Sequence, residues 1–496
     1  MSPAPSAARA RRGAALIALL ALALFGPQAP LLGFYLDDWA LLGPLLRSPG
    51  QSLRALTAAF NPENFWYLRP MDILYHPGLY WWAGMTAWKY QLVFVALEAL
   101  TAALLFLALL EATGDEFLAL ATAALYAIFP SHAATHQWFA AVFDPAMALY
   151  AVSLWLYAKR LAGGGRSWLI SALAVFLAGA LTYEAVVPLG LLWPALDFLR
   201  ERRGGAGRSI ALRSAALRSW PIAGAMLAVL VYQVAVHALL PRVLSRGISV
   251  DPLFALKVLG RGVECSSTGL VHLLWKSAGT FPTFWGWPES AALAAAAAAA
   301  ALLVRFAAAP ARSQEAGADL GEWSILAGLL FAAAYAPYAV SADRYLPHIF
   351  DVQNRINAPG SLPAAMLAAA GLARLRRAGR PWAPVLALAL LTSVALCVSG
   401  RAEWRASWRL QQRILADVGQ HADSFPQGPV ILVLKAPEKL GNAPVFDQDW
   451  AFDAALKTTF KDGRFSGRLW REDLTCAAGG PPCYVDDVER GTFTRL

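Results

Sequence analysis

The chain has 496 residues, of which 58% are hydrophobic and only 15% charged, with a mean hydropathy of +0.46. Soluble domains carry about 25% charged and about 45–50% apolar residues, so this composition excludes a disordered chain and argues against a soluble enzyme. The 19 Trp and 24 Phe suit the aromatic belts of a polytopic membrane protein, and a net charge of +9 belongs in cytoplasmic loops, so a lipid bilayer is expected as partner and nucleic acid is not.

A spanning helix needs about 20 mostly apolar residues. The first such run, 13–36, follows Arg9, Arg11 and Arg12 and ends in Tyr-Leu-Asp-Asp-Trp without a small-residue cleavage site, so it reads as an uncleaved span with a cytoplasmic N-terminus. Further apolar runs cover 90–110, 117–131, 138–158, 168–183, 185–198, 220–240, 289–309, 323–340, 358–373 and 382–400. That makes about eleven spans, two of them short and meeting in a tight turn at Glu184. The alanine run 294–301 lies inside one of them and reads as a close-packed helix. Under this threading eighteen Lys and Arg fall in short inside loops and eleven in much longer outside loops, which satisfies the positive-inside rule. An odd number of spans then leaves residues 401–496 extracytoplasmic.

That tail is polar, with one strand-like run at Val430–Leu434. Cys476 and Cys483 flank a Gly-Gly-Pro-Pro turn, and in an oxidising compartment two such cysteines form a disulfide or else remain as two thiols. Cys265 and Cys397 have no partner at metal-ligand spacing. The expected fold is mainly α: residues 1–400 form a polytopic transmembrane helical bundle, and 401–496 form a small extracytoplasmic α/β domain.

Polar residues at membrane depth are costly and mark function by default, and here they collect on the outer side. Asp37 and Asp38 close the first span. One could take a proton from a hydroxyl nucleophile and the other could bind a divalent cation such as Mg or Mn, with Asp38 as the metal candidate; the alternative is a solvated helix end. Arg69, set among aromatics and fixed by Pro70, could grip phosphate or snorkel at an interface. His76 follows in the same loop. His132 and His136 are four apart, which on a helix puts them on one face, where they could contact phosphate or play a structural part; no zinc signature is present. Asp144, inside an apolar helix, needs a partner such as Arg69 or a histidine. Glu184 could brace an arginine. Arg344 and Arg355 frame a polar loop where two cations could neutralise a lipid-linked phosphate or anchor the interface.

The order of these features carries a resemblance. A first span is followed by Phe34-Tyr-Leu-Asp-Asp-Trp39, Tyr67-Leu-Arg-Pro70 with a His soon after, Phe129-Pro-Ser-His132, Phe143-Asp-Pro145 and Ser341-Ala-Asp-Arg-Tyr-Leu346. Over residues 10–360 the chain resembles the GT-C superfamily of integral-membrane glycosyltransferases, most of all its protein O-mannosyltransferase-like branch. The chain departs from that pattern at Ala134 and Phe143, where relatives often carry an acidic and a polar residue. The resemblance implies a polyprenyl-phosphate-linked sugar donor, an extracytoplasmic glycan, lipid or protein acceptor, and reaction at the outer face. It places the acceptor-side role, as base or metal ligand, on Asp37 or Asp38, and a phosphate contact on Arg344. The expected activity is hexosyl transfer with inversion at the anomeric carbon. The competing readings are a flippase or exporter for lipid-linked glycans, which would distribute polar residues through the membrane depth, and a non-catalytic membrane scaffold using the tail as a binding module.

Overall fold

The structure, a computed structural model, describes residues 7–60, 69–239, 251–309, 318–341, 345–461, 463–472 and 480–495. The apolar runs are helical over most of their length. Among the described residues, seven helical segments are long and apolar enough to cross a membrane: Ala7–Leu31, Ala87–Thr113, Arg208–Val236, Trp287–Ala308, Leu320–Ala339, Val352–Arg377 and Trp382–Ser424. Glu116–Ala127 and Pro130–His136, bent by 58°, make an eighth if counted as one span. Phe143–Leu161, Arg166–Thr182 and the broken pair Glu184–Leu191 and Leu192–Arg203 account for the remaining runs. The protein is thus a polytopic transmembrane helical bundle.

Local chemistry sets the boundaries. Gly114, at φ +66°, ends one helix, and the Asp115 side chain accepts the Leu118 N–H at 3.0 Å to begin the next. Asp319 and Asp251 cap Leu320–Ala334 and Pro252–Cys265 in the same way. The alanine-rich helix Trp287–Ala308 buries Ala292, Ala296, Ala299 and Ala300 against Ala7–Phe25 and the long helix Trp382–His421. Small side chains let these backbones approach closely, as the sequence suggested.

The two ends of the bundle differ. At one end Arg9 pairs with Glu116 (2.7 Å), Arg377 with Asp115 (3.1 Å), and Arg202 and Arg208 both with Glu322 (3.0 and 2.9 Å). Following the same helices to their other ends leads to Asp37, His136 and Arg355. Three short helices, Asp37–Leu46, Leu53–Ala59 and Asp72–Ala83, and two amphipathic ones, Pro252–Cys265 and Thr268–Phe284, also belong to this second end.

Residue 400 is not a break in the chain. The helix Trp382–His421 runs 40 residues through it, about 60 Å at 1.5 Å per residue, twice the hydrocarbon thickness of a bilayer. Its polar half leads into β1 (Val430–Lys435), the two-stranded pair β2 (Lys439–Leu440) and β3 (Ala443–Pro444), and then β4 (Phe465–Leu469), β5 (Cys483–Asp487) and β6 (Thr492–Arg495), which with β1 form a four-stranded sheet in the order β4-β1-β5-β6. β1 pairs parallel with both β4 and β5, which explains why its sequence is apolar without alternation. The helix Asp449–Phe460 covers β4, whose Gly467 and Leu469 N–H groups donate to Asp453 (3.0 Å) and Asp449 (2.8 Å). Cys483 is disulfide-bonded; Cys476 lies outside the described residues. Cys265 and Cys397 are buried free thiols.

In β5 the buried carboxyl of Asp486 is pushed up to about 7, first by burial and then by Asp417. Its protonated form therefore favours the folded sheet. That contribution is complete below the ordinary carboxyl range near pH 4 and is lost as pH rises through about 7. Hydrogen-exchange protection of the β5 amides, corrected for intrinsic rates, should fall between about pH 4 and about pH 7. In Asp486→Asn that dependence should flatten; an unchanged slope would contradict the assignment.

Candidate functional site

The end opposite the Arg9–Glu116 pair holds the candidate residues. Leu36 turns the chain at φ +48°, a conformation that disfavours a branched side chain, and the helix Asp37–Leu46 starts there. Asp38 is fully buried; its Oδ2 accepts the Tyr35 N–H and its Oδ1 the Ala140 N–H, both at 2.9 Å. Burial pushes this carboxyl well above the usual range against the pull of those two N–H groups. Asp38 therefore ties the first corner to the 139–141 segment. Asp37 is half-buried, the more exposed member of the pair.

His76 lies under this corner, with its ring 5.6 Å from Phe139 and 5.4 Å from Phe60. Its Nδ1 is buried without a partner, and burial, followed by Arg69, lowers it to about 3, so the imidazole is neutral. Arg69 donates Nε–H and Nη2–H to Glu184 at 3.0 and 2.9 Å and stacks 4.3 Å over the Tyr183 ring. Glu184 braces an arginine, and that arginine is Arg69 rather than the partner of Asp144. Asp72, next to this pair, is raised to about 8 by burial against the opposing pull of Arg69. The Tyr75 hydroxyl is buried without a partner, on a ring that meets His76 edge-on at 5.0 Å.

The histidines do not follow the helical reading. Residues 130–136 form a 3₁₀ segment, with His132 at φ −130° outside it, so the two rings are not stacked along one α-helical face. The cause is local: Pro130 opens the segment, and side-chain amides replace helical partners, with Asn357 Nδ2–H donating to Ser131 O (2.9 Å) and Asn354 Oδ1 accepting the Ala134 N–H (3.1 Å). The rings still meet edge-on at 5.1 Å. His132 Nδ1 shares a hydrogen bond with Ser361 Oγ (2.7 Å), and His136 Nδ1 shares one with Asp144 Oδ2 (3.0 Å). The partner of Asp144 is thus a histidine.

Arg355 stacks 4.4 Å over Trp138, which packs with Tyr35 and Leu36 beside the Asp37 corner. Arg344, like 61–68 of the first loop, lies outside the described residues. Three of the four described non-glycine residues with positive φ, Leu36, Val142 and Asp351, immediately precede the segments that carry Asp37, Asp144 and Arg355. Each such strain costs about 1–3 kcal/mol and persists where surroundings over-determine it, which makes this end the candidate site.

Two participants were missed at the sequence level. Glu98 faces His136 Nδ1 at 3.9 Å from within the helix Ala87–Thr113; a lone carboxylate in an apolar run was signal enough. Arg401 donates Nη2–H to Phe25 O (3.1 Å) and stacks 5.2 Å from the Phe25 ring. It looked like the start of a polar tail because the helix continues past the membrane run. A divalent ion at Asp38 does not fit: both oxygens hold backbone N–H groups, and among the described residues Asp38 joins no cluster of metal-ligating side chains. The C-terminal region closes over this end through Lys439 with Asp351 and through Asn442, whose N–H donates to Glu403 (2.7 Å).

No family model and no curated protein sequence matches the chain. Among solved structures, it is similar to ArnT from Cupriavidus metallidurans in the apo state, with 14% identity over 92% of this chain and 85% of that one and a TM-score of 0.41. It is also similar to the same protein bound to undecaprenyl phosphate, with 14% identity over 93% and 86% and a TM-score of 0.36. Both scores lie below 0.5, so the site is interpreted from its own residues.

Proposed function

We propose that the protein is a membrane glycosyltransferase that moves a sugar from a polyprenyl-phosphate donor to an extracytoplasmic acceptor, with inversion, as the resemblance to the GT-C superfamily implies. The observation that carries this reading is the convergence, at one strained end of an apolar bundle, of the Asp37–Asp38 corner, the Arg69–Glu184 pair, neutral His76, the His136–Asp144 pair and Arg355. Glycosyl transfer from a lipid phosphate needs a base for the acceptor, cations for the leaving phosphate and an apolar surface for the prenyl chain. Asp37 takes the acceptor proton, a step that contributes about 10²–10⁴ in rate. Arg69 and Arg355, with Arg344 by resemblance, hold the phosphate as its charge develops. Single displacement needs one carboxylate near the acceptor, unlike the matched pair of a retaining glycosidase. Asp38 positions Asp37 and does not touch substrate.

The test is to incubate the purified full-length protein in nanodiscs with radiolabelled polyprenyl-phosphate sugars and crude envelope acceptors. Label should move from at least one donor to acceptor with the opposite anomeric configuration. Binding of donor with neither transfer nor release for the whole panel would contradict the enzyme reading and favour transport.

A further inference from the structure

We propose that Glu98, His136 and Asp144 hold a divalent transition-metal ion of the manganese or zinc class inside the helical bundle. The three side chains come from three different segments, the helix Ala87–Thr113, the 3₁₀ segment Pro130–His136 and the helix Phe143–Leu161. Their ligand atoms all lie within 4.8 Å of one another, with His136 Nδ1 at 3.0 Å from Asp144 Oδ2 and 3.9 Å from Glu98 Oε2. Bonds of about 2.0–2.2 Å to one ion place neighbouring ligand atoms roughly 3–3.5 Å apart, so small side-chain shifts close this set around a metal.

The hydrogen bonds explain why an ion belongs there. A neutral or protonated imidazole has at most one hydrogen on Nδ1, and Asp144 takes it. Glu98, 2% exposed, is then left outside hydrogen-bond distance, and its Oε1 has no partner. Two further buried atoms around the same point are also without partners. One is the Tyr126 hydroxyl, on a ring that stacks with His132 at 5.6 Å, and the other is His132 Nε2, on the ring that meets His136 edge-on. An unsatisfied buried polar atom is costly, and more so when it is charged. A divalent ion would give the Glu98 carboxylate the partner that His136 and Asp144, already paired, do not supply. A nitrogen with two carboxylates suits manganese or zinc better than magnesium, which prefers all-oxygen sites and keeps its water. The site is separate from Asp38, the metal ligand suggested by the sequence; it uses the His136–Asp144 pair of the proposed transfer site, and its test reads metal content rather than transfer.

The experiment uses full-length protein carrying a tag without histidines, stripped with chelator and dialysed against Mn(II) or Zn(II) alone. Mass spectrometry should find about one ion per chain. Pulsed EPR of the Mn(II) form should show coupling to one imidazole nitrogen. Glu98→Gln and Asp144→Asn should retain roughly a tenth of the metal or less, while Glu111→Gln at the opposite end retains it. If the core variants fail to fold, the nitrogen coupling in the unmodified protein still decides. Absence of retained metal, or metal without nitrogen coupling, would overturn the proposal and leave a water-filled ion-pair network. Metal that persists in both folded core variants would overturn it too.

Discussion

Asp37→Asn should lower transfer by about 10²–10⁴ while leaving the amount of protein in the membrane unchanged. Asp38→Asn should behave differently. Either orientation of the amide leaves the Tyr35 or Ala140 N–H without its acceptor in a fully buried corner, a loss of about 1–3 kcal/mol. Its activity should fall together with membrane abundance and thermal stability. The two adjacent carboxylates thus separate into a base and an anchor, measured by transfer per folded molecule against detergent melting temperature. Full transfer in folded Asp37→Asn would remove the base from the mechanism.

Arg69→Ala should reduce kcat/KM for the lipid-phosphate donor by about 10²–10³, the range for removing one positioned charge-stabilising donor. Arg69→Lys should recover only part of this, because an ammonium cannot reproduce the two-pronged bond to Glu184 while facing phosphate. Glu184→Gln keeps the shape but loosens the brace, so the donor KM should rise by roughly tenfold with little change in kcat. A merely structural pair would instead change stability and leave the donor and acceptor KM values equally unaffected. That result in folded variants would contradict a phosphate role for Arg69.

Much of the architecture was legible because lipid imposes a one-dimensional rule. Apolar runs become helices wherever they are long enough, and the alanine run 294–301 became the tightly packed face of one. Val430–Leu434 became the central strand of a small sheet for the equally simple reason that a strand buried on both sides is apolar throughout. What failed was tertiary. His132 and His136 have helical spacing, but Asn354 and Asn357, more than 200 residues away, capture the backbone between them and pull it out of the helix. Glu98 and Arg401 escaped notice although each is a charge in or beside an apolar run. The sequence leaves open which of Asp37 and Asp38 is the base, and the fold separates them by bringing Ala140 against Asp38. The composition changes at 400, and the helix Trp382–His421 runs on through it because backbone hydrogen bonding does not follow composition.

The central claim is that one end of the bundle holds a lipid-linked phosphate between Arg69 and the Asp37 corner. A cryo-EM map of the protein in nanodiscs with undecaprenyl phosphate measures this directly. The phosphate should lie within hydrogen-bonding reach of the Arg69 guanidinium, on the side facing Asp37, with the prenyl chain running along the apolar surface of the bundle. Ordered phosphate at the end that carries Arg9 and Glu116, or at any position that leaves Arg69 and Asp37 without a common cavity, would contradict it.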